Sequence, residues 1–359
     1  MNTDIVLPLP SGPGNPRNSE GSFVTLSNSD ILFAYSRYTG DSWSDHASAD
    51  IAARVSSDEG KTWSNEDRIL VANEGDCNVM SVSFLRLQDG RIALFYVQKN
   101  SAIDCRLRLR TSSDEGETWS DAVLCNPTSG YMVTNNDRIV QLTSGRLIAP
   151  SAYHRSKNPD GDIEAGIDQH GEAVFFISDD SGQSWKEGSR RINVSDEIVT
   201  GLQEPGIIQR SDGSLYGWAR ASAGQQWEFT SSDEGETWTK AKPSRFSSPT
   251  SPLSINAISG SSLWVAVWND PIMPVTTENG FAKNTSWGRT PLVLATSQDE
   301  GTTWTQNQAI ETDSECGFCY TAIHETKESI LLAYCCGGRG PAVLQDMRIR
   351  RIEKSEFRA

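Results

Sequence analysis

An eight-residue pattern, S-x-D-x-G-x-[ST]-W, occurs five times in this chain and constrains its fold more than any other feature. The copies span Ser56–Trp63, Ser112–Trp119, Ser178–Trp185, Ser231–Trp238 and Ser297–Trp304. Their starts lie 56, 66, 53 and 66 residues apart, a spacing typical of one supersecondary unit per copy. The chain is therefore expected to build its core by placing similar units side by side.

Turn residues followed by short apolar runs form a second repeat that alternates with the first. Runs of β-branched and aromatic residues after a turn indicate strands joined by tight connections. Six such segments are present: Ser27–Tyr35, Gln88–Tyr96, Thr143–Pro150, Ser211–Ala219, Ser259–Val267 and Thr326–Tyr334. Because another strand-like run precedes each octet, each unit is predicted to contain four strands.

Six such units account for all 359 residues, and no low-complexity linker separates them. Units of four strands repeated radially form a β-propeller. We therefore predict an all-β fold: a six-bladed β-propeller with four-stranded antiparallel blades, five of which carry the octet, in a single domain spanning residues 1–359. The run 4–10 is expected to pair near the run 346–354 and so leave no exposed edge.

The charge and the ends of the chain limit its partners and its compartment. The net charge is −15, and such an acidic surface repels phosphate backbones, so no nucleic-acid partner is expected. No apolar stretch approaches the ~20 residues of a membrane span, so no membrane partner is expected. The start, "MNTDIVLPLPSGPG", lacks the pattern of a signal peptide, which predicts a cytoplasmic protein. Loss of a leader by processing would instead make it secreted or periplasmic.

No cofactor is predicted. The seven cysteines are expected to be free thiols, since no signal peptide directs the chain to an oxidising compartment. The sequence contains no nucleotide-binding loop, zinc-protease motif or serine-hydrolase motif, and its four histidines are scattered.

The octet itself is expected to stabilise a turn. Its Asp can accept hydrogen bonds within the turn, its Gly can adopt a positive φ and its Trp can pack against the unit. One invariant carboxylate per copy is too few for a calcium site. The pattern resembles the Asp box of the sialidase superfamily, the BNR-repeat proteins. The resemblance covers essentially the whole chain and implies a six-bladed propeller whose boxes lie on the face away from the active site.

The resemblance also implies a set of reacting groups: a Tyr nucleophile activated by a Glu, an Asp acid/base, and three Arg that bind a sugar carboxylate. Tyr is the nucleophile of sialidases among glycosidases, and Arg binds carboxylates bidentately. "QEPGIIQRSDGSLYGWAR" supplies Glu204 and Arg220, "GRTP" supplies Arg289, and "GFCYTAIHE" supplies Tyr320. Each assignment has a non-catalytic alternative. Glu204 and Arg220 could form a cross-strand ion pair, Arg289 could be a surface residue, and Tyr320 could be a half-buried strand residue.

The acid/base Asp is expected in the polar loop "RYTGDSWSDHASADIAAR", residues 37–54. Asp45 is preferred there over Asp41 and Asp50. The neighbouring His46 is predicted either to tune Asp45 or to carry the proton itself, with a plain surface His as the alternative.

The chain departs from the family pattern at the first clamp arginine. Where the family has an R-I-P-type motif, this chain has Ser19, Glu20 and Gly21. Either Arg17 or Arg37 is predicted to complete the clamp, or the clamp has only two arginines. A Glu beside the site disfavours an anionic substrate group there, so the substrate is expected to be either sialic acid or another acidic sugar.

One further polar cluster is predicted to contact the substrate. In "YMVTNNDRIVQL", Asn136 and Arg138 stand near a strand end, and strand ends that face one central cavity build the pocket of a propeller. The predicted function is that of an exo-acting retaining glycoside hydrolase of sialidase type, acting on glycoconjugates or oligosaccharides with a terminal acidic sugar. The alternatives are a non-catalytic glycan- or protein-binding propeller, and a hydrolase or lyase of a different acidic sugar.

Overall fold

The computed structural model describes residues 3–158, 163–258, 262–273, 288–338 and 343–357. The turn of the fifth predicted hairpin, residues 259–261, lies outside this part. In chain order the first strands are β1 (Thr3–Leu9), β2 (Asn18–Thr25), β3 (Ile31–Tyr38), β4 (Ala49–Ser56), β5 (Arg68–Val71), β6 (Asn78–Arg86), β7 (Ile92–Ser101), β8 (Asp104–Ser112), β9 (Val123–Leu124), β10 (Gly130–Val133), β11 (Val140–Gln141) and β12 (Leu147–Ser156). The remaining strands are β13 (Ile167–Ser178), β14 (Lys186–Glu187), β15 (Gln203–Gln209), β16 (Leu215–Arg220), β17 (Gln225–Ser231), β18 (Lys242–Ser247), β19 (Ser254–Ala257), β20 (Trp264–Asn269), β21 (Leu292–Ser297), β22 (Gln308–Glu311), β23 (Gly317–Glu325), β24 (Ser329–Gly337) and β25 (Asp346–Glu353).

Four sheets have four antiparallel strands each, as predicted. Their orders are β2-β3-β4-β5, β15-β16-β17-β18, β19-β20-β21-β22 and β1-β25-β24-β23. The last order confirms that the N-terminal run pairs with the C-terminal run, with Thr3 opposite Ile352 and Leu9 opposite Met347. The described helices are two four-residue turns, Ile163–Gly166 and Lys354–Phe357, so nothing there has the length and apolarity to cross a membrane.

The second and third units differ from the prediction because they share one nine-stranded sheet. The first strand of the third unit is interrupted between β10 and β11, so β10 pairs in parallel with β8 of the preceding unit through Gly130–Asp104 and Tyr131–Cys105. All other pairings in this sheet are antiparallel. The residues between β10 and β11 carry polar side chains that form hydrogen bonds with other sheets.

The core lies between neighbouring sheets. All six residues of β20 and all nine of β24 are buried, which requires sheets covered on both faces. Strands further from the centre alternate instead, as in β8, where Leu107 and Leu109 face inward between arginines. Inner strands of neighbouring units contact one another: β2 contacts β6 and β23, β19 contacts β15 and β23, and β15 also contacts β12, the second strand of the third unit.

Non-glycine residues with positive φ recur on the first strands. Glu20, Ser81, Glu204 and Tyr320 have φ of 51°, 59°, 49° and 58°, and each lies where the register with the second strand shifts. Such bulges re-aim a side chain, and non-glycine residues are uncommon in the left-handed region. The four bulges therefore turn these side chains out of the regular alternation.

The five octets are turns with one shared hydrogen-bond pattern. In the copy that contains Asp233, its carboxylate accepts from Ser231 Oγ at 2.8 Å and from the Thr237 amide at 2.9 Å. The same two contacts occur in the other four copies. The residue before the octet Gly and the Gly itself have positive φ in every copy, for example Glu234 and Gly235. The octet is a structural turn, as its composition predicts.

The octets lie at the opposite end of the sheets from the bulges. In the first sheet, Ser19 pairs with Ser36 at the bulged end, whereas Thr25 pairs with Ile31 at the other end. Ile31 in turn pairs with Ser56, the first residue of an octet. The two repeated features therefore mark two different faces.

Candidate active site

A cavity of about 590 Å³ opens at the bulged end of the sheets. Its volume is within the range of small-molecule sites. Its walls include eight residues singled out from the sequence: Arg17, Glu20, Asp45, His46, Glu204, Arg220, Arg289 and Tyr320. Strands of three sheets and the loops beside them thus bring together groups that are far apart along the chain.

A hydrogen-bonded Tyr–Glu pair forms one wall of the cavity. The Tyr320 hydroxyl donates to Glu204 Oε1 at 3.1 Å, and both residues stand on left-handed bulges of β23 and β15. Burial and the neighbouring Glu204 carboxylate raise the pKa of Tyr320, against the effect of Arg220 and Arg289. The phenol is therefore neutral at rest, and its proton is directed at the Glu204 carboxylate.

Arg220 links this pair to the rest of the site. Its Nη1 lies 3.0 Å from Glu204 Oε2 and 3.5 Å from Tyr320 Oη. Its Nε and Nη2 donate to Gln203 Oε1 at 3.1 and 2.6 Å, which fixes the plane of the guanidinium. The register of β15 and β16 places Arg220 opposite Gln203, so the tight turn between these strands produces the arrangement.

Arg289 approaches Tyr320 from the next sheet. Its guanidinium carbon lies 5.4 Å from the centre of the Tyr320 ring, and its Nη1 lies 3.0 Å from Cys319 Sγ. The Arg289 carbonyl accepts from the Phe318 amide at 2.9 Å, which ties this residue to the start of β23. Two arginines thus flank the same phenol, an arrangement suited to a planar anion.

Asp45 lies at the mouth of the cavity in an ion pair with Arg17, and 63% of its side chain is exposed. Arg17 lowers the pKa of Asp45 strongly against the effect of partial burial, and Lys99 adds to the effect. Lys99 Nζ also donates to the Asp45 carbonyl at 2.8 Å, and Asn78 Nδ2 donates to it at 2.9 Å. Asp45 is therefore held in place and ionised at rest.

Arg37 does not reach the cavity, so the prediction that it could complete a clamp is wrong. Its Nε lies 3.2 Å from Asp67 Oδ2. Asp67 also accepts hydrogen bonds from Arg54 Nε and from the Tyr35 hydroxyl. Arg37 therefore belongs to a polar cluster between strands and not to the cavity wall. The alternation of β3 accounts for the difference, because Arg37 faces the side of the strand that meets Asp67.

Asn136 and Arg138 are also not in the cavity wall, contrary to the prediction. Asn136 Nδ2 donates to the carbonyls of Gly21 at 2.7 Å and Tyr320 at 3.2 Å. Arg138 Nη2 donates to the Leu253 carbonyl at 2.7 Å, and the side chain is 4% exposed. Both side chains donate hydrogen bonds to backbone carbonyls, because the interrupted strand turns them toward the centre of the molecule.

Asp137 completes this group, and we call Asn136–Arg138 the hub. The Asp137 carboxylate accepts from Ser22 Oγ at 2.8 Å and from the Ile323 amide at 3.1 Å, and its own amide donates to the Val82 carbonyl at 3.0 Å. The hub thereby joins β2, β6 and β23, and through Arg138 it also contacts the start of β19.

Several cavity residues were not among the predicted site residues, and three of them carry polar groups of interest. Ser81 donates to Glu20, and Asn135 presents a buried amide nitrogen that has no hydrogen-bond partner in the described part of the chain. His154 Nδ1 lies 2.7 Å from the Asp168 carbonyl, which can only accept, so Nε2 is left as an acceptor. Asn135 and His154 are polar residues near strand ends, and this position could have identified them as cavity residues. No sequence feature distinguishes Ser81 from other strand serines.

The described residues contain no group of three or more His, Cys, Asp or Glu side chains arranged to hold a metal ion. The fold and the cavity define a class of protein: antiparallel sheets repeated with Asp-box turns at one end and a polar, arginine-containing site at the other. The chain belongs to the sialidase superfamily of BNR-repeat proteins, since the BNR repeat-like domain matches residues 35–332.

Individual relatives agree with this membership. The chain is 25% identical over 237 residues to a sialidase from Bacteroides fragilis (strain YCH46), covering 64% of this chain and 39% of that protein. It is 30% identical over 177 residues to an anhydrosialidase from Macrobdella decora, covering 45% of this chain and 20% of that protein. The chain thus spans well under half the length of these two relatives.

Among solved structures, the NanB sialidase from Streptococcus pneumoniae superposes with a TM-score of 0.71 at 16% identity. The superposition covers 98% of this chain and 71% of that one. At this identity the similarity establishes the fold, so the chemistry has to be argued from the cavity.

Proposed function

We propose that this protein is an exo-acting, retaining glycoside hydrolase that releases a terminal sialic acid or a related acidic sugar from glycans. The observation that carries the proposal is the 3.1 Å hydrogen bond from Tyr320 to Glu204 in a cavity flanked by Arg220 and Arg289. A phenol paired with a carboxylate and bordered by arginines suits a reaction centre that lies next to an anionic group.

We also propose that the sheets form one domain of six blades around the cavity. The contacts between neighbouring units support a ring, and the nine-stranded sheet divides into two blades where β10 pairs in parallel with β8. The pairing of β1 with β25 would close the last blade. A ring of this kind accounts for the position of the cavity of about 590 Å³ at the end of the sheets where the bulges lie.

In the proposed reaction, Arg220 and Arg289 bind the sugar carboxylate and orient the anomeric carbon toward Tyr320. The Tyr320 oxygen attacks that carbon while its proton passes to Glu204. A neutral phenol avoids the repulsion that a carboxylate nucleophile would meet beside the sugar carboxylate. The product of this step is a glycosyl–tyrosine and a free leaving-group alcohol.

Asp45 is the proposed acid that protonates the leaving oxygen and later the base that activates water. Its ion pair with Arg17 opposes the first role, because Arg17 keeps the Asp45 pKa low. Arg17 also lines the cavity, so an incoming sugar carboxylate is an alternative partner for it. Transfer of Arg17 to that carboxylate would raise the pKa of Asp45 and allow it to carry a proton. The neighbouring His46 also lowers the pKa of Asp45, so it opposes the first role as well.

The experiment is turnover of an aryl sialoside by the Tyr320→Phe variant. We expect kcat to fall by about 10²- to 10⁴-fold, the range typical of losing one reacting group, with the fold retained. Tyr216→Phe is the matched control, because Tyr216 donates to Glu228 at 2.9 Å away from the cavity. Undiminished turnover by Tyr320→Phe contradicts the assignment. Glycan binding that survives in a wild-type protein without any turnover favours a binding function instead.

A second candidate keeps the same site but changes the product. The relative named an anhydrosialidase suggests release of the sugar as an internal anhydride, formed when one of its own hydroxyls attacks in place of water. Mass spectrometry of the released sugar separates the two, because the anhydride is lighter by one water. A product of full mass supports hydrolysis.

A further inference from the structure

Glu20 is a buried carboxyl group on the cavity wall that forms no ion pair with any described residue. It is 5% exposed, it stands on the bulge of β2 with φ of 51°, and it lines the cavity. Its Oε2 accepts from the Ser81 hydroxyl. In the described part of the chain no other hydrogen bond or ion pair reaches this carboxyl group, so its second oxygen is left for a ligand.

The hub places Glu20 beside the proposed nucleophile. The Asn136 Nδ2 atom contacts both the Gly21 carbonyl and the Tyr320 carbonyl, so the bulges of β2 and β23 lie within reach of a single amide group. Ser19, the residue before Glu20, contacts Cys335 Sγ at 3.3 Å. Cys335 is paired across the sheet with Cys319, which contacts Arg289. Glu20 is thus next to both Tyr320 and the arginine side of the cavity.

The charged and titratable groups that face Glu20 come from several elements. Arg17 and Asp45 face it as an ion pair, Cys335 faces it from β24, and Tyr320 faces it from β23. Tyr38 of β3 and Arg138 of the hub also interact with it. Burial raises the pKa of Glu20 to about 7, against the hydrogen bond from Ser81, and Cys335 and Asp45 add to the increase. Arg17 lowers the pKa of Glu20, but burial outweighs this effect.

We propose that Glu20 acts as a neutral carboxylic acid in the carboxylate subsite and donates a hydrogen bond to the carboxylate of the acidic sugar. Glu20 would thus bind the sugar carboxylate at the position where the family has its first clamp arginine. It would help to determine which sugars the proposed reaction accepts. Binding of the ligand would then take up one proton whenever Glu20 is ionised in the free protein.

The electrostatics of the two carboxyl groups support this proposal, which rests on the proposed function. Two carboxylates that share a site repel each other when both are ionised, so one of them keeps a proton. The sugar acid is the stronger acid and its charge is bound by arginines, which leaves the proton on Glu20. A hydrogen bond between a neutral acid and a carboxylate is charge-assisted and strong. An ionised Glu20 would instead repel the ligand.

The test is calorimetric binding of the 2,3-unsaturated analogue of sialic acid from pH 5 to 9, in buffers of different ionisation enthalpy. For wild-type protein we expect uptake of about one proton per ligand above the pKa of Glu20, and a Kd that rises about tenfold per pH unit there. Glu20→Gln keeps a donor without a titrating proton, so its Kd should rise less steeply with pH than that of the wild type, and its proton uptake should be smaller by about one proton per ligand. Any uptake that remains in this variant belongs to Asp45.

Two further variants make the result specific. Glu197→Gln, on an exposed loop away from the cavity, should bind and take up protons like the wild type. Cys335→Ser should also retain the uptake, although interactions with Cys319 and Ser19 outweigh burial and lower the pKa of Cys335 to about 6. Uptake that disappears in Cys335→Ser but is undiminished in Glu20→Gln overturns the proposal.

The remaining outcomes separate this proposal from the proposed function. Binding of the analogue without proton uptake, or tighter binding to wild type as the pH rises, overturns the role of Glu20 and leaves the acidic-sugar function intact. No binding of the analogue by wild type at any pH, together with no turnover of acidic glycosides, contradicts both.

Discussion

At the scale of single residues, the site depends on non-glycine side chains in the left-handed backbone region. Glu20, Glu204 and Tyr320 all adopt this conformation at strand bulges, and each presents a titratable group to the cavity. Backbone strain of this kind persists only where the surroundings enforce it, and it is common at functional sites. Here the strain gives three groups from three sheets a common direction. Arg220 and Arg289 contribute charge and are not themselves in the left-handed region.

At the scale of elements, the interrupted first strand of the third unit holds the other first strands together. Asn136 and Asp137 contact the backbone of β2 and β23, and Arg138 contacts residues at the start of β19. Arg138 also lies 5.7 Å from the Trp218 ring. Burial lowers the pKa of Arg138 to about 10, against nearby carboxylates, and the group remains charged at neutral pH. The hub is therefore a structural support for the bulges.

Arg138→Met tests this role. Loss of charge-assisted hydrogen bonds to the Leu253 carbonyl and Ser254 Oγ should lower the free energy of unfolding by about 2–3 kcal/mol. The KM of the folded protein should be unchanged, because Arg138 does not line the cavity. Denaturant unfolding and steady-state kinetics measure the two quantities. Arg68→Met, which removes an exposed ion pair with Glu117, should cost at most about 1 kcal/mol. A raised KM with unchanged stability would restore Arg138 as a substrate contact.

At the scale of the whole molecule, the two ends of the sheets have separate tasks. The Asp-box turns occupy the end away from the bulges, and no octet residue lines the cavity. One end therefore holds neighbouring turns in a uniform geometry while the other varies from sheet to sheet. This division explains how a regular repeat can support an irregular site.

Asp233→Ala tests the division. The substitution removes the acceptor for Ser231 Oγ and the Thr237 amide, as a lost helix cap would, and should destabilise the fold by about 1–2 kcal/mol. Below the unfolding transition, kcat/KM should match the wild type. Thermal unfolding and kinetics on the same preparation check both expectations. A change in kcat/KM larger than about threefold would mean that the octet turns affect the geometry of the cavity.

The octet made much of this arrangement predictable. Glu204, Arg220, Arg289 and Tyr320 line one cavity, as expected, because regular strands between repeated turns fix which end of a sheet a residue reaches. Their catalytic roles stay predictions. The hub was not predictable, because an interrupted strand loses the period of two that assigns its side chains to a face. Arg37 failed for another reason: its partner Asp67 lies beyond the next strand, and no local pattern reveals such a pairing.

The most direct test of the central claim is to trap the proposed glycosyl–tyrosine. Wild-type protein is incubated with a 3-fluorosialosyl fluoride, which slows breakdown of the covalent species, and is then digested and analysed by mass spectrometry. We expect one peptide, containing Tyr320, to be heavier by the fluorinated sugar, and the Tyr320→Phe variant to show no label. A label on Glu204 or Asp45, or turnover of the probe without any labelled peptide, would contradict the account.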